Sequence, residues 1–181
     1  PDCFSIHGLS REVAALYGKK LNQESVTVRE GGTAAASAID VKIEDKKLCP
    51  KYCARVIQGV QVGQSPLWLA NKVRQAGIRS INNIVDVTNY VLYELGHPLH
   101  SFDANLLEGN IIVRKAKKGE KLSALDEETY TLNPDMLVIA DEKKAVAIAG
   151  VMGGMDTGVT EGTHNIVLES ALFDPISVRK T

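Results

Sequence analysis

Three short stretches hold residues whose types and spacing could do chemistry. In GHPLHSFD, residues 96–103, His97, His100 and Asp103 offer two imidazoles and a carboxylate. A His-x-x-His pair followed by Asp could ligate a metal, but Pro98 interrupts the helix that would aim both rings at one ion. The alternative is a loop histidine hydrogen-bonded to its neighbours. In AGVMGGMDTG, residues 149–158, Gly153 and Gly154 follow an apolar run. Paired glycines there either let the backbone approach a ligand closely or make a tight turn or bulge. The spacing is neither a dinucleotide fingerprint nor a P-loop, since no Gly-Lys-Ser/Thr follows. The third stretch is NIVLESALF, where Glu169 interrupts an apolar strand pattern. By alternation Glu169 sides with Val167 and Ala171, not with Leu168, so it reads as an inward carboxylate that needs a donor. No Gly-x-Ser-x-Gly elbow occurs, and no Ser or Cys carries an evident His and Asp pairing, which disfavours a covalent nucleophile.

The elements that must position these groups can be read from pattern. Ser10 is a plausible N-cap for a short helix bearing Val13, Ala14 and Leu16, closed by Gly18. Residues 22–38 are polar, small and Gly-containing and read as a linker, with a domain starting near Ile39. IDVKIED and KYCARVIQGVQVG read as strands. Ser65-Pro66 opens a helix with a capping hydroxyl and a first-turn proline; Leu67, Trp68, Ala70, Val73 and Arg74 form its partly apolar face, and Gly77 closes it. A second helix starts near Asn82 or Asn83 and runs to Gly96, with an apolar stripe of Ile84, Val87, Val91 and Leu95 and with Asp86, Asn89 and Tyr93 on another face. The rest is a series of short β-rich runs, NIIVRKA, KLSAL, TYTLN, MLVIAD, AVAIAGVM and NIVLESALF, separated by turn signals. Helices followed by strands predict an α+β fold, with helices packed on a mixed, mostly antiparallel β-sheet system that is either three-layer β/β/α or barrel-like.

Composition narrows the function classes. Apolar residues at 44% and charged residues at 24% exclude global disorder, collagen and coiled coil. With 21 Lys and Arg against 22 Asp and Glu there is no bulk attraction for polyanions, so any nucleic-acid contact must be local. Two basic runs, Lys42, Lys46, Lys47, Lys51 and Arg55, then Arg114, Lys115, Lys117, Lys118 and Lys121, are expected to be solvated faces because acidic residues intersperse them. No apolar run reaches the ~18 to 20 residues of a membrane span, and the first residues lack signal-peptide order, so the expected setting is cytoplasmic with no membrane partner. Cys3, Cys49 and Cys53 are too few and odd in number for a disulfide framework, and Cys49 and Cys53 are expected to be reduced, buried small residues, not zinc ligands.

The three stretches and the helices before them resemble the β subunit of bacterial phenylalanyl-tRNA synthetase. The resemblance is carried by SPLWLANKVRQAGIRSINNIVDVTNYVLYELGHPLHSFD, then VRKAKKGEKL, LVIAD, VAIAGVMGG and VLESALFDPISVRKT, in the family's order, over most of residues 47–181. DCFSIHGLSREVAALYG resembles the end of that subunit's N-terminal domain. The resemblance implies an excised central part of a larger subunit: residues 1–38 as a remnant of the N-terminal domain plus linker, and 39–181 as the editing domain, lacking pocket-closing residues that follow in the family. It implies hydrolysis of Tyr-tRNA(Phe), with no cofactor here, since the family's ATP and magnesium sites lie elsewhere. The implied partners are the acceptor end of tRNA(Phe) bearing a tyrosyl ester and the α subunit of an (αβ)2 heterotetramer. The chain alone is expected to be monomeric.

Residue by residue, Glu169 matches the family's carboxylate that accepts the tyrosine phenol, and Gly153 with Gly154 the glycine turn that admits the aminoacyl group. His100 matches the histidine near the ester, and Asn89 a residue holding the amino acid's polar end. His97 stands where relatives more often have Gln and receives no role, and no metal is expected. A hydroxyl-reading second site makes physical sense, because a phenyl pocket rejects a hydroxylated isostere only ~10²-fold, whereas a hydrogen-bonding site rejects the analogue lacking the group by ~10⁴ or more. Two chemical roles stay open for His100, orienting the ester for attack by a positioned water or acting as general base. Two other readings of the whole are a non-catalytic tRNA-positioning or scaffold domain and a free-standing trans-editing protein.

Overall fold

A computed structural model describes residues 3–22, 25–32 and 34–181. The chain forms two compact units, one from residues 1–33 and 64–99 and one from residues 34–63 and 100–181. Of the expected 22–38 linker, residues 25–32 carry neither helix nor strand and 35–37 form a single 3-10 turn, while 23, 24 and 33 lie outside the described residues.

The first unit is helical. Helix α1 (Ile6–Leu16) starts earlier than its sequence suggests: Ser5, not Ser10, is the cap, its hydroxyl accepting from Gly8 N at 2.8 Å. Helix α2 (Leu67–Gln75) has Pro66 at the cap position, and the Ser65 hydroxyl expected there is spent elsewhere, donating to Asp86 Oδ2 at 2.5 Å. Its buried face is Leu69, Ala70 and Val73, whereas Leu67 and Trp68 are exposed and Trp68 meets Tyr90 edge-on at 5.9 Å between ring centres. In helix α3 (Asn83–Leu95) Asn82 Oδ1 accepts from Ile84 N and Val85 N, and Gly96 ends the helix in the left-handed region at φ +77°.

The expected apolar stripe of α3 is not its buried face. Asp86 and Thr88 are buried while Val87 and Leu95 are exposed. The reason is that Asp86 collects donors from outside its helix: Ser65 Oγ, Ser80 Oγ at 2.5 Å and Ile81 N at 2.9 Å. Burial alone would raise its pKa, but these three donors and the Arg74 charge outweigh that and hold it below the ordinary value.

The second unit is built from sheets. Strand β2 (Lys51–Gln58), strand β3 (His100–Asp103) and strand β10 (Asn165–Leu172) form an antiparallel sheet in the order β2-β10-β3. A five-stranded sheet follows the order β1 (Val41–Ile43), β4 (Ile111–Lys115), β7 (Leu137–Ala140), β8 (Ala145–Ile148) and β9 (Met152–Gly153). Only β1 and β4 in that sheet run parallel. The main core lies where the two sheets face each other, with Phe102 and Val167 from one meeting Ile111, Val113, Ile139 and Ala147 from the other. A smaller core on the far side of the five-stranded sheet, Val138, Ala140 and Ile148 with Leu122 and Leu132, is covered by the hairpin β5 (Lys121–Ser123) and β6 (Thr129–Thr131). Helix α4 (Pro175–Lys180) follows β10.

The α+β class and the mostly antiparallel sheets are as expected, but the barrel-like alternative is not found. Each larger sheet is open, one ending at β1 and β9 and the other at β2 and β3. Two smaller expectations also fail. Cys53 is exposed, because it alternates onto the outer face of β2, while Cys49 alone of the three cysteines is buried. Arg114 leaves its basic run for the interior, where its guanidinium meets Glu120 at 2.8 and 2.6 Å.

Candidate functional site

The site is built on the central strand of the three-stranded sheet. In β10, Val167, Glu169 and Ala171 are buried, while Leu168 and Ser170 on the opposite face are only partly so. Glu169 therefore points into the space between the sheets, as alternation requires, at 6% exposure. Directly opposite it on β3 stands His100, and on the other side Ala54 of β2. Opposed residues of an antiparallel pair project from the same face, so imidazole and carboxylate share one wall. Within GHPLHSFD, residues 97–99 carry neither helix nor strand, but His100–Asp103 form a strand edge in place of the expected loop histidine, with Phe102 packing edge-on against the His100 ring at 4.5 Å between centres.

The glycine pair lies on the facing wall. Gly153 pairs with Ala147 at the end of the five-stranded sheet, and a Cβ placed on it would lie 2.5 Å from His100 Cε1 and 2.9 Å from Leu125 Cδ1. A side chain there would require the imidazole and Leu125 to move. Gly153 is thus glycine because an imidazole rests on its Cα. The Gly153 carbonyl accepts from Leu125 N at 3.0 Å, and Gly154 N donates to Val146 O at 2.8 Å. Those two backbone groups are engaged within the fold. Just beyond, Thr157 is fully buried with a hydroxyl lacking a partner among the described residues.

Burial sets the electrostatics. It pushes the Glu169 carboxyl up from 4.5 to about 7, against the lowering effect of a hydrogen bond from Tyr52, whose hydroxyl donates to Glu169 Oε2 at 2.9 Å. Burial pushes the His100 imidazole down from 6.5 to about 4, so it is neutral at physiological pH, and its Nε2 is buried with no partner among the described residues. Tyr52 and Cys49 nearby are both pushed up, first by burial and then by the Glu169 charge. The result is a weakly acidic carboxyl and a neutral ring facing bare backbone, suited to reading a hydroxyl and orienting a polar group rather than binding a cation.

Asp103, the third member of the metal set considered from sequence, is occupied by Thr163 Oγ1 at 2.6 Å and Asn105 N at 2.9 Å. No group of three His, Cys, Asp or Glu among the described residues could hold a metal ion. His100, Glu169, Gly153 and Gly154 all belong to the second unit. Asn89 belongs to the helical unit, half-buried on α3. Tyr52 was missed from sequence, although a signal existed: it alternates with Ala54 and Val56 on the inward face of β2, and a tyrosine facing a core needs a partner for its hydroxyl.

Comparison with known proteins adds to this geometry. The chain is 50% identical over 182 residues to the phenylalanine–tRNA ligase β subunit of Anaeromyxobacter dehalogenans, an alignment covering 100% of this chain and 23% of that protein. It is 51% identical over 181 residues to the β subunit of Idiomarina loihiensis, covering 98% of this chain and 22% of that protein. The chain thus spans under a quarter of the length of these curated relatives. A solved N-terminal fragment of the phenylalanyl-tRNA synthetase β subunit from Pyrococcus horikoshii shares the fold, with a TM-score of 0.57 at 15% identity, over 98% of this chain and 54% of that one. The sheets that carry Glu169, His100 and the glycine pair fall within the stretch matched by the B3/4 domain model, residues 48–181, apart from β1, and on that match the chain belongs to the B3/4 domain family.

Proposed function

We propose that this chain is the part of a phenylalanine–tRNA ligase β subunit that removes tyrosine from mischarged tRNA(Phe) by hydrolysing the aminoacyl ester. The observation that carries the reading is a buried carboxyl, Glu169, standing opposite His100 on neighbouring strands while the His100 ring rests on Gly153. With Tyr52 already on Oε2, the other carboxyl oxygen gains a hydrogen bond from a phenol and is left unpaired beside a bare phenyl ring, which is the discrimination an editing site needs. The ester itself is already activated, so orienting it and a water can supply the acceleration.

His100 fits the orienting role better than that of general base. An imidazole whose conjugate acid has a pKa of about 4 is a weak base at neutral pH, far from the matched value that makes proton abstraction efficient. Its unpartnered Nε2 supports a contact with the ester or the terminal ribose. The role of Asn89 at the amino acid's polar end rests on the family resemblance alone. In this reading the α subunit and tRNA(Phe) are the partners, and charging with ATP and magnesium takes place outside this segment.

The test uses the assembled ligase carrying this chain. Glu169→Ala and His100→Ala are each expected to let Tyr-tRNA(Phe) accumulate while phenylalanine charging stays unchanged. Normal deacylation of Tyr-tRNA(Phe) by both variants overturns the proposal.

A further inference from the structure

A buried carboxylate has two oxygens, and reading one ligand hydroxyl needs only one of them. On the inward face of β10, the neighbours of Glu169 are apolar except for His100 directly opposite and Tyr52, which reaches it from β2. Tyr52 stands opposite Ala171, two residues along from Glu169, and crosses diagonally to donate its hydroxyl to Oε2 at 2.9 Å. Among the described residues, this is the one hydrogen bond to the Glu169 side chain. Val167, Ala54, Val56 and Phe102 line the rest of that face.

We infer that Tyr52 is the positioning residue of the carboxyl that reads the substrate: its hydroxyl occupies Oε2, fixes the carboxyl plane, and leaves Oε1 to receive a ligand phenol. This deepens the editing reading and rests on it. The titratable groups facing Glu169 are Tyr52 and Cys49 from the β2 side and His100 from β3. None is charged near neutrality: Tyr52 and Cys49 are pushed up and stay protonated and neutral, and His100 is pushed down and stays unprotonated and neutral. The balance between protonated and ionised Glu169 is therefore set by burial against one donor. Ionisation matters because a hydrogen bond to a charged carboxylate is roughly twice as strong as one between neutral groups.

The test is Tyr52→Phe in the assembled ligase, which keeps the ring and its packing and deletes only the donor. Deacylation of Tyr-tRNA(Phe) is followed against pH and resolved into KM and kcat. The wild-type profile is expected to turn on ionisation at about 7. In Tyr52→Phe that midpoint moves to higher pH, and at neutral pH KM rises about tenfold, as expected for loss of one hydrogen bond to a charged group. Replacing Tyr52 with a ring-fluorinated tyrosine, a stronger donor, moves the midpoint below the wild-type value. A structural defect alone would lower activity equally at every pH and would not respond to fluorination. Wild-type hydrolysis with an unchanged midpoint and KM in Tyr52→Phe overturns the role of Tyr52 while leaving the editing reading intact. Absence of hydrolysis in the wild type overturns both.

Discussion

His100 and Glu169 should give stability two opposing dependences on pH over one window. The imidazole is displaced from 6.5 to about 4 and the carboxyl from 4.5 to about 7, both by burial. At ~1.36 kcal/mol per pH unit each displacement is worth about 3 kcal/mol. The signs differ. The depressed imidazole contributes stability that is complete above 6.5 and is lost as pH falls through 4. The raised carboxyl contributes stability that is complete below 4.5 and is lost as pH rises through 7. Between 4.5 and 6.5 the folded chain holds both groups uncharged, and the two slopes largely cancel. Glu169→Gln should unmask the first, giving a chain that loses about 3 kcal/mol relative to the wild-type trend as pH drops from 7 to 4. His100→Gln should unmask the second, with a loss of similar size on going from pH 4.5 to 7. Urea denaturation followed by circular dichroism is the assay, because it follows the backbone of the sheets, whereas the single tryptophan, Trp68, belongs to the helical unit. Variants whose pH dependences both parallel the wild type, or whose slopes are reversed, would refute the electrostatic account of the site.

Two further outcomes test the surroundings. Gly153→Ala would set a methyl 2.5 Å from His100 Cε1 and 2.9 Å from Leu125 Cδ1, so thermal denaturation should show a loss of about 1–3 kcal/mol, and under the proposed function deacylation should fall with it. Glu120→Ala strands the Arg114 guanidinium, whose side chain is 9% exposed, and should cost about 3–5 kcal/mol in urea denaturation. The Arg114 hydrogen bond, ahead of the Lys117 and Ala145 backbone donors, holds the Glu120 pKa down from 4.5 to about 2. That stability is complete above pH 4.5 and disappears as pH falls through 2, a trend Glu120→Ala should lack.

What could be read from sequence was what depends on neighbours along the chain. Period-two alternation over the eight residues of β10 is enough to turn Glu169 inward. Asn82 and Gly96 bracket α3 by their own local chemistry. The errors arose where a distant partner decided the outcome. Ser65 looks like a helix cap, yet Asp86, 21 residues away, claims its hydroxyl and in doing so makes the polar side of α3 the buried one. His100 to Asp103 carry too few apolar residues to announce a strand, and they form one because β10 pairs with them from far along the chain. Tyr52 meets Glu169 across a separation of 117 residues, beyond the reach of any window. Arg114 sits in a run of lysines that gives no sign that Glu120 will draw it inside.

The order β2-β10-β3 places the latest strand of its sheet in the middle. During synthesis β2 and β3 emerge long before the segment that bridges them, and neither can pair with the other across the vacant slot. Until residues 165–172 leave the ribosome, the sheet is two open edges ready to accept a stray extended peptide. The wall that carries Glu169 is therefore completed all at once and near the end of this segment's translation, so a nascent chain stalled before β10 lacks that wall and is prone to clump.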